Sequence, residues 1–311
     1  EAFSSLSNYL KDNTIESNFF GSIKDLLYEV NELLNNGYKN QEHIDLIINL
    51  FYQLVRNNCN LADILTDNHI YIIFFPFIQK DETLDLFDWL LFYDHPPSPI
   101  NHKSDLPKDH DQKQKEYDQR CKDRGYHLIA HYCIDNDIMT KLHEILNTPS
   151  MPKVLKVIRE LGDFFFTFHS FIPMFSDIFN IIYNDPEIEH RSRAIDAIST
   201  FAGSSKEALS FFLEKDEFVQ LFTDYSYESP EILTAILYCA NNVMGISEYL
   251  DEQKAIMFLN FAAQFINEND TDLISQAIEI ISNGTKNGEQ YTSYALDSGI
   301  VQQLFQIIGN G

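Results

Sequence analysis

The sequence predicts an all-α protein built as a stack of helical layers. Three observations point there: segments that repeat at a period near 40, a shortage of turn residues, and apolar spacing that follows helices. Of 311 residues, 44% are hydrophobic, with 25 Phe and 16 Tyr, enough apolar surface to offset the entropy of ordering the chain. Gly (11) and Pro (10) are scarce, so there are few tight turns and few hairpins, which argues against a β-sandwich or barrel.

The period is clearest in the C-terminal half. Ala194 opens AIDAIST, Ala235 opens AILYCAN and Ala277 opens AIEIISN, at spacings of 41 and 42. A small residue follows five positions later in each (Ser199, Ala240, Ser282), and a glycine ends each block (Gly203, Gly245, Gly284), suited to a left-handed helix terminus. A second block follows each first one: FVQLF from Phe218, FAAQF from Phe261 and VQQLF from Val301. Its apolar residues stand four apart, on one helical face. Asp185-Pro186 and Ser229-Pro230 read as a capping side chain before a first-position proline, and Asp270 or Thr271 caps the third unit.

The unit is therefore a capped helix with small residues, a short helix and a longer one. A period of about 40–47 with two or three helices is the signature of the armadillo/HEAT-like α-solenoid, a right-handed superhelix, here of about six to seven layers. The N-terminal half fits more loosely. Residues 16–35 read as a helix pair or cap, 41–79 as one unit (LIINLFYQLV, then YIIFFPFI), 83–147 as a second split by an insertion, and 153–184 as a short Phe-rich one. We read 1–311 as one such domain, interrupted by a charged loop at 94–124.

That insertion begins HPPSPINHKSDLPK, where four prolines exclude helix, and continues DHDQKQKEYDQRCKDR. The whole chain carries a formal charge of −25, yet residues 101–125 hold seven Lys/Arg against six Asp/Glu. So acidic a body repels nucleic acid and anionic membrane and attracts basic protein segments. Candidate partner contacts are Lys122 and Arg124 at the end of the insertion, and Asn241 and Asn283, which fall at matching places in the repeat. An Asn on the inner helix of such a stack can hydrogen-bond an extended peptide backbone. The import-receptor pattern, with a Trp one turn earlier, is absent: Leu237 and Glu279 stand there.

The longest apolar run, 70–78, has nine residues, short of the roughly 20 that a membrane span needs. The N-terminus has neither a basic nor an apolar leader segment, and a start at Glu1 predicts a piece of a longer protein. Cys59, Cys121, Cys133 and Cys239 lack metal-ligand spacing and read as free thiols of a reducing compartment, cytoplasmic or nuclear. There is no phosphate-binding loop, no GxSxG and no GxGxxG. His127 and His131 are spaced for zinc, but Leu128 stands where a metalloprotease has Glu, and no third ligand follows. The expectation is a non-catalytic scaffold without cofactor or metal.

The stretch EHRSRAIDAISTFAGSSKEALSFFLEK, residues 189–215, resembles the armadillo region of the SMEK family, regulatory subunit 3 of protein phosphatase 4. Arg191, Ser192, Ala194, Asp196 and Ser199 match in register, followed by Ser204 or Ser205 and by Phe211. Residues 54–70 and 136–171 parallel the family in order. The resemblance implies a regulatory subunit that joins a serine/threonine phosphatase catalytic subunit to its targets. The alternative is a general armadillo adaptor that binds an extended basic peptide in transport or cytoskeletal assembly.

Overall fold

The computed structural model describes residues 30, 32, 41–57, 65, 70–94, 128–223, 229–268, 270–286 and 288–310. Among them are fourteen α-helices and no strand. No helix there is long and apolar enough to cross a membrane, and no group of three or more His, Cys, Asp or Glu side chains is placed to hold a metal. The insertion with Lys122 and Arg124, as well as His127, Cys59 and Cys121, lies outside the described residues. So does nearly all of 16–35. The chain falls into two compact units, Glu1–Val157 and Ile158–Gly311.

In the first unit, α1 (Gln41–Asn57) packs on α2 (Asp81–Asp94), with a 3-10 helix (Ile70–Phe77) between them in sequence. Pro76 has no amide hydrogen to give, and the 3-10 helix stops one residue later. α3 (Leu128–Asp135) and α4 (Ile138–Ile145) follow. Aromatic rings fill the interior: Phe74 meets Phe51 edge-on at 4.8 Å, while Phe75 stacks on Tyr132 at 4.5 Å. At the start of α5 (Met151–Gly162), Lys153 donates to Asp85 at 2.7 Å and lies 3.5 Å from Asp81. Burial opposes its charge, but the two carboxylates more than offset that and hold the ammonium above its ordinary range.

The second unit shows the repeat plainly. Three long helices pack side by side: α7 (Ile188–Ser204) on α10 (Pro230–Gly245), and α10 on α12 (Thr271–Lys286). Other helices connect and back them: the equally long α6 (Phe168–Asn184) and the shorter α8 (Lys206–Leu213), α9 (Asp216–Gln220), α11 (Glu252–Ala263), α13 (Glu289–Asp297) and α14 (Ile300–Asn310). The four-apart phenylalanines run through the layers as a chain of rings. Phe212 meets Phe218 at 5.3 Å, Phe218 meets Phe222 at 5.2 Å, Phe222 meets Phe258 at 4.7 Å, and Phe261 meets Phe265 at 5.2 Å. In the third block the corresponding Phe305 is 68% exposed.

Two of the three cap expectations hold. Ser229 Oγ accepts from the Ile232 amide at 3.2 Å with Pro230 at the first helical position, and Asp270 Oδ1 accepts from the Asp272 and Leu273 amides at 2.9 and 3.3 Å. The third differs. α7 begins at Ile188, because Asp185 spends its carboxylate on the Glu187 amide at 2.8 Å and on His190 Nδ1 at 3.1 Å, turning the chain before the helix starts.

The glycines also differ from expectation. Gly203, Gly245 and Gly284 lie within their helices, and the one described glycine with positive φ is Gly299. Two of them serve close packing instead. A Cβ on Gly203 would sit 2.9 Å from Asn242 Cβ, and one on Gly284 would sit 2.4 Å from Met244 Cε.

Candidate functional site

The long helices of the second unit are joined by side-chain rungs. Thr200 Oγ1 donates to the Arg159 carbonyl at 3.1 Å. Asn242 Nδ2 donates to Ser199 Oγ at 2.8 Å, and Asn283 Nδ2 donates to Asn241 Oδ1 at 2.8 Å. In every rung the later helix supplies the donor and the earlier helix the acceptor. Asn283 is therefore the counterpart of Asn242, and Asn241 is the counterpart of Ser199.

This corrects the equivalence read from sequence, where Asn241 and Asn283 matched each other. They are instead the two ends of one rung. The register from α10 to α12 is 41, one less than the aligned Ala-Ile pairs indicate. Burial says the same: Ile280 is wholly buried, as is Cys239 41 residues before it, whereas a spacing of 42 would align it with Tyr238, which is 46% exposed. The buried Ala277, Ile280 and Gly284 follow Ile236, Cys239 and Val243 at a constant 41.

With the register corrected, the solvent face of the ladder can be read. Thr234, Tyr238, Asn241 and Gly245 share the outward side of α10, since positions three and four apart stack on one helical face. Ser275, Glu279, Ser282 and Lys286 do so on α12. The midline from α7 to α12 runs Asp196, Tyr238, Glu279: a carboxylate, an aromatic ring and a second carboxylate. Tyr238 is 46% exposed and makes no ring contact or hydrogen bond among the described residues.

The two carboxylates differ in their surroundings. Asp196 is half-buried, which pushes its carboxyl above the usual range, while the charges of Arg159 and Arg193 pull it back down. Arg193 is itself tied to Glu189 at 2.7 Å, and Arg159 pairs with the buried Glu160. Glu279 is exposed, with no ion pair among the described residues. Behind the midline, burial pushes the Cys239 thiol far up, out of the range where a thiolate forms at neutral pH. Cys133, in the first unit, is also buried.

Asn241 and Asn283 thus stand together and half-buried on the ladder. Sequence reading passed over Tyr238, Asn242 and Glu279. Their signal was present in α12: its buried positions have a helical phase that the duplicated Ala-Ile pair obscures by one residue.

No family model matches the sequence, and no curated protein matches it. Solved structures do match in shape. An engineered protein aligns over 90% of this chain with a TM-score of 0.59 at 9% identity, and the chain spans 63% of that protein's length. A designed armadillo repeat protein in complex with the peptide (KR)4 aligns over 82% of this chain and 99% of its own, with a TM-score of 0.56 at 10% identity. A structure from work on a phosphorylation switch in the interaction between cadherin and beta-catenin aligns over 92% of this chain and 56% of its own, with a TM-score of 0.57 at 12% identity. At these identities the likeness is one of fold, and the fold is the armadillo α-solenoid.

Proposed function

We propose that this chain is a protein-binding scaffold whose second unit holds an extended segment of a partner along the α7–α10–α12 face. The observation that carries this reading is the Asn241–Asn283 rung with its spare valences. An Asn side chain has two N–H donors and an acceptor oxygen with two lone pairs. The rung engages one donor of Asn283 and one lone pair of Asn241. The remaining groups suit the backbone of an extended chain, which needs a donor and an acceptor at every residue. The formal charge of −25 favours a basic segment. The complex of a designed armadillo repeat protein with (KR)4 is a precedent for this use of the fold.

The finer reading, a phosphatase regulatory subunit, rests on the resemblance over residues 189–215. Several matched positions have work within the unit itself. Arg191 Nε donates to the Ile182 carbonyl at 2.8 Å, Ala194 is buried, and Ser199 accepts from Asn242. A match there reports how a layer is built more than which partner it holds, so the general scaffold is the reading we favour. Affinity purification with mass spectrometry decides between them. A phosphatase catalytic subunit retained in stoichiometric amount supports the finer reading, and its absence leaves the general one. For the site itself, Asn283→Ala is expected to weaken partner retention while the chain stays folded; unchanged retention rejects the ladder face as the binding surface.

A further inference from the structure

We infer that the segment held on this face presents an apolar side chain opposite Tyr238 and a basic side chain about two residues away, opposite Glu279. The inference rests on the reading that the ladder face binds an extended segment, and it names what that segment must carry.

α10 is the least charged helix of the ladder. Its one charged residue is Glu231, in the first turn, and its outward face offers Thr234, Tyr238 and Asn241. A single exposed aromatic is ordinary on a protein surface. Tyr238 is set apart by its place, one turn before Asn241 and Asn242, the adjacent residues through which α10 makes its rungs to α12 and α7. A strand hydrogen-bonded at either rung brings side chains over the ring. An apolar side chain there covers a half-exposed aromatic face and strips its water, the kind of contact that dominates binding energy at interfaces.

Charge decides the neighbouring position. Of the two midline carboxylates, Asp196 already has the cations Arg159 and Arg193 beside it, and their like charge opposes a ligand cation there. Glu279 has no such neighbour among the described residues; on α12 the other charges are Asp272 and Lys286, in the first and last turns. It is the carboxylate free to attract a Lys or Arg. Packed helix axes lie about 8–10 Å apart, an extended chain advances about 3.3 Å per residue and every second side chain points to the same side, so adjacent helices of the ladder are read by side chains about two residues apart. A segment basic throughout would leave Tyr238 without an apolar partner.

The test selects displayed random 12-residue peptides on the immobilised full chain, then measures the tightest selected peptide by fluorescence anisotropy. The expected consensus pairs an apolar residue with a Lys or Arg about two positions away. Tyr238→Ala should weaken that peptide about tenfold or more and Tyr238→Phe little. Glu279→Gln should weaken it about threefold and flatten its salt dependence, while Asp196→Asn changes it less than about twofold. Thermal melts confirm that each variant is folded, and Asn283→Ala serves as the marker for the ladder face. A uniformly basic consensus whose binding falls with Asn283→Ala but not with Tyr238→Ala overturns this inference and keeps the ladder reading. Selected peptides indifferent to Asn283→Ala, or no selected peptide at all, overturn both.

Discussion

The junction of α7 with α10 and the junction of α10 with α12 use the same rung and close in different ways. In the first, Asn242 donates to Ser199, which is wholly buried, and Gly203 lets the two backbones approach: a Cβ there would lie 2.9 Å from Asn242 Cβ and 3.3 Å from its carbonyl oxygen. In the second, Asn283 donates to the half-buried Asn241, and what faces Gly284 is the tip of Met244, at 2.4 Å, and Leu259 Cδ2, at 3.0 Å. One junction is set by backbone, the other by flexible side chains. A junction whose rung ends on a wholly buried hydroxyl is committed to holding the stack. A junction whose rung is half in solvent keeps hydrogen-bonding groups for something else.

Glycine replacement gives the largest separation between them. Gly203→Ala should destabilise the protein by about 1–3 kcal/mol, because the new methyl meets a neighbouring backbone that cannot yield. Gly284→Ala should stay within about 1 kcal/mol of wild type. There the end of Met244 can rotate away, and Ala gains on Gly in helix propensity by about as much as the adjustment costs. Urea unfolding of both variants checks this, and equal losses would erase the distinction drawn between the junctions.

The rungs themselves give a smaller contrast. Ser199→Ala removes a wholly buried hydroxyl that partners both the half-buried Asn242 amide and the buried Cys239 thiol, at a cost of about 1 kcal/mol. Asn283→Ala should cost less than about half of that, since the freed Asn241 oxygen is half-exposed and can turn to water. Denaturation midpoints of the two variants, measured side by side, test the order. A larger loss for Asn283→Ala would make that rung structural and remove the main support for a binding role.

Much of this architecture was legible in the residues, for reasons that are local. Phe218 and Phe222, or Phe261 and Phe265, stand four apart because a helix places such pairs on one face, and the rings meet as that spacing requires. Ser229 before Pro230 is a helix start that needs no tertiary information. The candidate site was less legible because it depends on register between helices 41 or 42 residues apart. In AILYCA the Ala-Ile pair stands one residue early relative to its copies in AIDAIS and AIEIIS, so the letters match while the faces do not. The hydrogen bond from Asn283 to Asn241 and the burial of Ile280 expose the slip, and a bond between distant residues leaves no periodic trace in the sequence. Gly203 was recognised as special for the wrong reason, as a left-handed terminus, when its use is close approach. Lys122 and Arg124 lie outside the described residues.

The finest effect concerns Asp196, at the committed junction. Burial raises its carboxyl above the ordinary value, and Arg159 and Arg193 lower it without cancelling the rise. The anion is therefore less comfortable in the folded chain than in the unfolded one, and the folded state holds its proton to higher pH. By linkage, the folded state carries a penalty above the raised folded value, and that penalty fades as pH falls toward the ordinary carboxylate value. Asp196→Asn, which imitates the neutral acid, should raise the melting temperature more at pH 8 than at pH 5. Wild type and variant melts at the two pH values test the sign. A variant less stable than wild type at pH 8 would mean that Arg159 and Arg193 outweigh burial, and Asp196 would then belong with the residues that hold the stack together.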